Sequence, residues 1–425
     1  MEKRILVISW FFPPINSSEG LVTYKLLKNS KYKYDVITQK SNESWSYGQT
    51  NDLDYGENIN CINIETTNMD VFKTEAIKYF EKNKNKYDIV MTRSMAEVAH
   101  VIGLKIKEIK NSIIWIASFG DPIGNNPFTL KSINSENPFS IKQRYVRPMG
   151  IREILSPKRM LKSYLYNKGN KDNYNLFIKE SNILQEKILN SCDFVIYNSI
   201  YQSEYMLKDY ANKNELGKKT IILPHSFDED LYKKEKKIKK EKINFSFLGL
   251  LDDIRTPHCL FEAINKLKEY DENLCDKVEF NFYGNLSDKE KLYLMNNYLL
   301  DIVKVQQPVN YLKSLEIMQN SDWLIHIDAN IQEIIEKNIF FAAKIADYIG
   351  SKSNIIGITM IDGISADILR EYNALCLENC VEEIFNYLFL IIYENFETKL
   401  NPNYRKLYDA KEVASTFDKL IESIE

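Results

Sequence analysis

Short apolar runs alternate along the chain with stretches in which apolar residues recur at helical spacing. The runs are rich in Ile, Val, Phe and Tyr, and they end at polar or turn-forming residues, as is typical of buried strands. The first set of predicted strands is Ile5–Trp10, Asp35–Thr38, Cys61–Ile64, Asp88–Met91, Ser112–Ala117, Asp193–Tyr197 and Thr220–Leu223. The second set is Ile243–Leu248, Val278–Tyr283, Val303–Val305, Trp323–Ile327, Asn354–Thr359 and Ala374–Leu377.

Helical periodicity fills the segments between these strands. After the first strand of the second set, one helical face carries Leu260, Phe261, Ile264 and Leu267. Strands separated by helices of about 10–15 residues form βαβ units. Such units build parallel sheets with helices on both faces. We therefore predict an α/β fold with two Rossmann-like domains that face each other across a cleft.

The boundary between the two sets is an almost purely charged segment, Tyr232–Ile243. We interpret it as a solvated connector rather than a binding patch. The predicted domains are residues 1–235 and 236–405, followed by a C-terminal helix over 406–425. One face of that helix is apolar, with Val413, Phe417, Leu420, Ile421 and Ile424. Packing back across the domain interface is one arrangement that would bury this face.

A basic insertion at about 125–173 interrupts the alternation of strands and helices. Between residues 131 and 172, ten Lys or Arg side chains accompany only three acidic ones, and aromatic residues lie among them. One interpretation is a surface excursion with solvated lysines. The other is a lobe that contacts anionic lipid headgroups or a lipid-diphosphate acceptor, which would place the protein at the inner face of a membrane.

Composition narrows the class of protein. With 425 residues, 44% hydrophobic and 27% charged, the chain is globular rather than disordered or collagenous. A net charge of −3 does not favour nucleic acid as a partner. The six cysteines show no metal-binding spacing and indicate reduced thiols of a cytoplasmic protein. The first apolar run is short and ends at Pro13, so we expect a strand there rather than an export signal.

The loop after the first strand, Phe11–Gly20, is small and polar and leads into a helix. Such a loop offers backbone N–H groups and a positive dipole end to a phosphate or sugar oxygen. We therefore select Ser17, Ser18, Glu19 and Gly20 as a candidate sugar or acceptor loop, although Ser and Glu also serve as ordinary N-caps. The chain contains no G-x-G-x-x-G motif and no Walker A loop, which argues against dinucleotide oxidoreductases and P-loop ATPases.

Charged residues follow other strands as well. Asp121 lies where the fifth strand ends, a position that aims a side chain into the cleft, and we select it as the catalytic candidate; Asp-Pro is also a common turn former. Arg255 follows the first strand of the second set, and its guanidinium matches the geometry of a diphosphate. Lys344 and Asp347 lie one helical turn apart, which suits a phosphate and a ribose respectively, or else a surface salt bridge.

Ordered motifs along the chain resemble GT-B fold glycosyltransferases of the family-4 type. The motifs are Ile5–Pro14, Arg93–Ala96 with His100, Ile116–Pro122, Ser191–Ser199, Leu223–Asp228, Phe247–Gly249 and Lys344–Gly350. The resemblance implies that the C-terminal domain holds a nucleotide-sugar donor and that the N-terminal domain binds the acceptor. It also implies that Arg255 and Lys344 contact the diphosphate and Asp347 the ribose. The serine loop and Asp121 would then line the sugar and acceptor side.

The resemblance implies a hexosyltransferase-type enzyme of polysaccharide biosynthesis. It would move a sugar from a nucleoside diphosphate to a hydroxyl of a glycan or lipid-linked acceptor. Such enzymes usually retain the anomeric configuration, and we expect no metal and no cofactor, since the nucleotide sugar is a substrate. Two alternatives stay open: a catalytically inactive binding or scaffold subunit, and a sugar-nucleotide epimerase on the same fold.

Overall fold

A computed structural model describes residues 4–40, 53–134, 176–233, 241–251 and 254–424, without the side chains of 132–134. The first sheet contains β1 (Arg4–Ser9), β2 (Lys33–Lys40), β3 (Ile59–Glu65), β4 (Ile89–Arg93), β5 (Ile114–Ser118), β6 (Phe194–Tyr197) and β7 (Thr220–Ile222). The second contains β8 (Ile243–Leu248), β9 (Val278–Tyr283), β10 (Val303–Gln306), β11 (Trp323–Ile327), β12 (Asn354–Ile358) and β13 (Leu375–Leu377). Every predicted strand is present, with small differences at its ends.

Both sheets are parallel and share one strand order. The first runs β3-β2-β1-β4-β5-β6-β7 and the second β10-β9-β8-β11-β12-β13. Counted from its own first strand, each begins 3-2-1-4-5-6, the order of doubly wound nucleotide-binding folds. The predicted α/β class with two Rossmann-like domains is therefore confirmed. In such sheets the strand order reverses next to the first strand, and this reversal opens a crevice at the carboxyl ends of the strands.

Helices follow most of the strands within the described ranges. The first half contains α1 (Ser18–Asn29), α2 (Met69–Asn83), α3 (Val98–Ile109), α4 (Pro127–Asn134), α5 (176–191), α6 (Ile200–Leu207) and α7 (Lys213–Lys218). The second contains α8 (His258–Tyr270), α9 (Leu274–Lys277), α10 (Asp288–Asn296), α11 (Tyr311–Asn320), α12 (Ala343–Ser351), α13 (Ile364–Glu371), α14 (Val381–Tyr393), α15 (Pro402–Arg405) and α16 (Ala410–Ile424). Short 3₁₀ turns occupy Lys84–Lys86, Glu229–Leu231 and Lys406–Tyr408.

The central strands are buried on both faces, as their continuous apolar runs require. Ile5, Leu6, Val7 and Ile8 of β1 are fully buried. Burial of each large apolar side chain stabilises the fold by roughly 1.5–3 kcal/mol. The strand ends that carry the polar side chains described below are therefore held firmly in place.

The last helix, α16, lies against α1 of the first domain. Val413, Phe417 and Ile421 are buried there, while Leu420 and Ile424 pack partly buried against the same cluster. At the rim of this contact, the Asp418 carboxylate accepts hydrogen bonds from the Ser30 hydroxyl and the Lys31 backbone N–H. The last described helix therefore packs on the first domain.

Two sequence predictions fall largely beyond these ranges. Of the basic insertion at 125–173, only residues up to 134 are described, and residues 234–240 of the charged connector also lie outside the described residues. No helix within the described ranges has the length and apolarity needed to cross a membrane.

Candidate active site between the two sheets

A cavity of about 530 Å³ lies between the two domains, at the carboxyl ends of their strands. The first wall is the side formed by Phe11, residues 16–19, Leu21, Val22, Lys25, Met95, Gly120, Asp121, Phe128 and His225. The second wall is the opposite side, formed by residues 248–250, Arg255, Tyr283, Pro308, Val309, Tyr311, Ser314, Met318, Asp328, Ala329, Asn338, residues 340–344 and Asp347. The cavity is concave and bounded by both domains, as small-molecule sites usually are.

Most of the predicted site residues meet in this cavity. Those that line it are Ser17, Ser18, Glu19, Asp121, Arg255, Lys344 and Asp347. Gly20 is buried behind the first wall instead, where an added Cβ would lie 3.0 Å from the Phe12 Cα. Gly20 thus allows the first turn of α1 to approach the loop after β1 and does not itself face the cavity.

On the first wall, Glu19 is held by a buried arginine. Arg93 at the end of β4 donates through Nε to Glu19 Oε2 at 2.7 Å and through Nη1 to Ser118 Oγ at 2.9 Å. Its side chain is 6% exposed, and Nη2 is buried without a hydrogen-bond partner among the described residues. The ion pair lowers the pKa of Glu19, but burial outweighs it and the net shift is upward.

Asp121 lies beside this pair. Burial and the neighbouring Glu19 carboxylate raise the pKa of Asp121 to about 7, against the opposing effect of the Arg93 and Arg255 charges. The preceding Gly120 contacts the Glu19 carboxylate so closely that an added Cβ would lie 2.3 Å from Oε1. A carboxyl group that titrates near neutrality can accept or donate a proton at physiological pH.

On the second wall, a glycine turn and a lysine follow β8. Lys344 Nζ donates to the Leu248 carbonyl at 2.9 Å and lies 4.6 Å from the centre of the Phe247 ring. Gly249 has a φ of +134°, and an added Cβ would lie 2.4 Å from Lys344 Nζ. The position therefore requires glycine for both its backbone conformation and the approach of the lysine.

Helix N-termini reach the cavity from both sides. Ser17 caps α1 and Ala342 caps α12, and neither makes a side-chain capping hydrogen bond. Both Ser17 and Ala342 line the cavity. The first backbone N–H groups of these helices and their positive dipole ends are suited to anionic or hydroxyl oxygens.

Asp347 is part of a buried ion pair between the domains. Its Oδ1 accepts hydrogen bonds from Lys25 Nζ of α1 at 2.8 Å and from the Tyr311 hydroxyl at 3.0 Å. The predicted partner within its own helix, Lys344, bonds to Leu248 instead. Tyr348, which follows Asp347, is fully buried, and its hydroxyl donates to the Ile325 carbonyl of β11.

The second wall contains a second acid, Asp328, which was not predicted from the sequence. It follows β11, and its Oδ1 lies 2.7 Å from His326 Nε2, while its Oδ2 accepts from Asn338 Nδ2 at 3.0 Å. Burial lowers the pKa of His326 despite the carboxylate beside it, so a neutral imidazole donating through Nε2 fits this contact. A polar residue directly after a buried strand was the signal that could have identified Asp328.

Histidines occupy two other positions near the site. His100 on α3 is fully buried, and its Nδ1 lies 2.7 Å from Thr92 Oγ1, so it belongs to the core. His225 lines the first wall, where burial and the charges of Arg93 and Lys25 hold its pKa well below the ordinary value. A neutral His225 can hydrogen-bond a ligand without adding charge.

Contacts between the domains close one side of the cavity. Phe128 of α4 stacks on Phe340 at a centroid distance of 4.0 Å, and the Tyr201 hydroxyl of α6 hydrogen-bonds Asp367 of α13. Together with the Lys25–Asp347 pair, these contacts hold the two walls face to face.

Less polar residues line the part of the second wall next to the glycine turn. They are Tyr283, Pro308, Val309 and Met318. A flat ring can pack against such a surface while its edge reaches polar groups. Within the described residues, no group of three or more His, Cys, Asp or Glu side chains is arranged to hold a metal ion.

Comparison with solved structures identifies the architecture. Sucrose-phosphate synthase from Thermosynechococcus elongatus superposes with a TM-score of 0.66 at 10% identity, over 99% of this chain and 99% of that one. The chain has the GT-B fold. This confirms the expected resemblance at the level of the fold.

Other GT-B structures superpose over nearly their full length. An α,α-trehalose-phosphate synthase (UDP-forming) from Burkholderia xenovorans, in complex with glucose-6-phosphate, gives a TM-score of 0.59 at 9% identity, over 99% of this chain and 100% of that one. A UDP-N-acetylglucosamine 2-epimerase from Listeria monocytogenes gives 0.54 at 10% identity, over 100% and 97%. No family model and no curated protein matches the sequence. Because transferases and an epimerase share this GT-B fold, the choice between them depends on the cavity.

Proposed function

We propose that this GT-B protein is a glycosyltransferase that moves a sugar, of the hexose type, from a nucleoside diphosphate to a hydroxyl of a glycan or lipid-linked acceptor. The observation that carries the proposal is the arrangement of one cavity. Lys344, Arg255 and the start of α12 lie on its second wall, and Asp121, with a pKa of about 7, lies on its first wall.

In this proposal the donor diphosphate binds beside the glycine turn at Gly249. Lys344 and Arg255, with the open N-terminus of α12, stabilise the charge that develops on the diphosphate as its bond to the sugar breaks. These groups supply the charge that a metal ion supplies in other transferases, so we propose metal-independent transfer. The nucleobase packs against Tyr283 and Val309, and Asp347 accepts hydrogen bonds from the ribose hydroxyls.

The acceptor enters along the first wall. Asp121 accepts the proton of the attacking hydroxyl as the new glycosidic bond forms and the bond to the diphosphate breaks. Ser17 and Ser18, with the backbone N–H groups at the start of α1, bind hydroxyl oxygens of the sugar or the acceptor. The resemblance to family-4 enzymes favours retention of anomeric configuration, which in one displacement requires the hydroxyl to attack from the face that the diphosphate leaves; attack from the opposite face would invert the configuration. The predicted contact of the basic insertion with anionic membranes stays a prediction.

A screen of nucleoside diphosphates and nucleotide sugars by thermal shift tests the donor site. We expect one nucleotide series to raise the unfolding temperature, because a ligand that binds only the folded state stabilises it. Release of free nucleotide from that nucleotide sugar, stimulated by glycan or lipid-linked acceptors, tests transfer. Stabilisation by no member of the series would contradict the proposal.

A sugar-nucleotide epimerase is the second candidate, because an enzyme with that name shares the GT-B fold at full length. The same protein sample separates the two. An epimerase changes the sugar of the nucleotide without an acceptor, whereas a transferase requires an acceptor for rapid nucleotide release. A scaffold subunit would bind the nucleotide sugar and do neither.

A further inference from the structure

Lys25 is an unusual lysine, because it is buried and lines the cavity. Its side chain is 1% exposed, and its ammonium lies 2.8 Å from Asp347 Oδ1, whose side chain is 8% exposed. The two residues belong to different domains and both line the cavity. A lysine that lies on the first wall therefore holds an acid of the second.

The carboxylate of Asp347 is held through one oxygen. Both Lys25 Nζ and the Tyr311 hydroxyl donate to Oδ1, and the ammonium lies 5.7 Å from the centre of the Tyr311 ring. The Tyr232 hydroxyl fixes the backbone by donating to the Asp347 carbonyl at 2.7 Å. Within the described part of the chain, Oδ2 receives no hydrogen bond.

Other charged groups near this carboxylate do not replace Lys25. Burial raises the pKa of Asp347, the negative charge of Asp228 raises it further, and Lys25 and Tyr311 oppose the shift. Lys28 is paired with Asp228 at 2.9 Å. Tyr232 and Tyr348 also lie near Asp347, and their pKa values are raised, so both are neutral near pH 7. Among the described residues, Lys25 is the cation that contacts the Asp347 carboxylate directly.

A buried ion pair is an inefficient way to hold two domains together. Desolvation of the two charges offsets much of their attraction, and a well-packed apolar pair often stabilises a fold as well or better. A pair of this kind at a cavity wall is better explained by the second carboxylate oxygen of Asp347, which receives no hydrogen bond from the described residues.

We propose that Lys25 is a positioning residue of the donor site. It favours the ionised form of Asp347 and fixes the carboxylate through Oδ1, which leaves Oδ2 for the ribose hydroxyls. Recognition of the ribose is then shared by the two domains and coupled to their closure. This inference rests on the proposed function, since it requires a nucleoside diphosphate in the cavity.

The test measures recognition of the ribose rather than overall stability. Uridine, adenosine and guanosine diphosphates are titrated into the wild-type protein by calorimetry, and the best of them is compared with its 2′,3′-dideoxy counterpart. We expect the dideoxy compound to bind about 10- to 100-fold more weakly, because hydrogen bonds to an ionised carboxylate are lost. In Asp347→Asn this preference should largely disappear.

Lys25→Met is the decisive variant. Without the ammonium, the pKa of Asp347 rises further, so the carboxyl group stays protonated up to a higher pH. The ribose preference, measured at one acidic and one alkaline pH, should therefore fall at the acidic pH and partly return at the alkaline pH. Lys25→Arg should keep the preference at both pH values.

Lys31→Met is the control, because Lys31 lies just after the same helix and pairs with Glu422 at the surface. It should keep a ribose preference like that of the wild type at both pH values. A similar loss in Lys31→Met would indicate a general disturbance of the end of α1 and would overturn the assignment to Lys25. So would a Lys25→Met protein that keeps the preference at both pH values.

A structure of the wild-type protein with the bound diphosphate provides a check that needs no variant. We expect Lys25 Nζ on Oδ1 and a ribose hydroxyl on Oδ2 of Asp347; a ribose bound elsewhere would contradict the inference. If wild type binds the diphosphate without ribose preference, the inference fails while the proposed donor site stands. If it binds no nucleoside diphosphate, both fail.

Discussion

The two walls of the cavity are built on sheets of the same strand order, yet they present different chemistry. On the first wall, Glu19 and Asp121 lie side by side, with Arg93 buried behind them. On the second, Lys344 lies against the glycine turn at Gly249, and Arg255 lines the same cavity. Here the first wall holds two carboxyl groups with raised pKa values, and the second holds two cations near the N-terminus of α12. The second wall also carries Asp328 and Asp347, but Asp347 is paired with Lys25 of the first wall.

Because of this difference, the two walls of the cavity favour different groups of a ligand. Anionic oxygens are favoured near the cations and the start of α12, and disfavoured near two carboxyl groups. A neutral hydroxyl that must lose a proton is favoured near Asp121. The fold alone does not create this polarity, since both sheets offer strand ends and helix N-termini. The side chains at those ends create it, and the following variants test it.

The largest effect is expected on the first wall. Asp121→Asn should lower the turnover number about 10²- to 10⁴-fold, because the group that accepts the hydroxyl proton is lost. Affinity for the nucleoside diphosphate should change little. In the wild type, the rate should rise with pH through about 7, as Asp121 loses its proton. Steady-state kinetics over a pH series checks both statements, and an unchanged turnover number would remove Asp121 from the chemistry.

The second wall should respond in binding rather than in proton transfer. Lys344→Ala and Arg255→Ala should each weaken nucleoside diphosphate binding about 10- to 100-fold, since each removes a charged hydrogen bond to a phosphate. Calorimetry measures the loss. Lys352→Ala is the control, because Lys352 is exposed and pairs with Glu229. Equal affinity in all four proteins would end the contrast between the walls.

A single methyl group tests the glycine turn. Gly249→Ala places a Cβ 2.4 Å from Lys344 Nζ and strains a φ of +134°, so we expect affinity for the diphosphate to fall about tenfold. Gly217→Ala is the matched control, because nothing lies within 4 Å of its added Cβ. It should bind the diphosphate as the wild type does, and the contrast would be contradicted if both variants behaved alike.

The smallest effect concerns the helix that returns to the first domain. Asp418→Asn weakens the acceptor for Ser30 and Lys31 and should lower the free energy of unfolding by about 1 kcal/mol. Chemical denaturation measures this change. Diphosphate affinity should stay the same, because Asp418 lies away from both walls; a large loss of affinity would mean that α16 controls how the walls face each other.

Much of the site could be predicted because it lies at strand ends. Glu19, Asp121, Arg255 and Lys344 follow apolar runs or begin helices in the sequence, and parallel sheets bring such positions to one edge. Gly20 was selected by the same reasoning, but it packs against Phe12 because its missing side chain serves the backbone approach. Arg93 begins the Arg93–Ala96 motif, but no local pattern in the sequence indicated that it would be buried behind Glu19.

The sequence by itself determined the strands, their parallel order in two domains and the edge at which the polar side chains collect, because apolar periodicity is a local property of the chain. Only the tertiary structure decided which of those side chains became partners. Lys25 and Asp347 are 322 residues apart, and their contact exists because two separately folded domains meet with α1 facing α12. No local pattern encodes that meeting, since it depends on the shape and burial of both surfaces together.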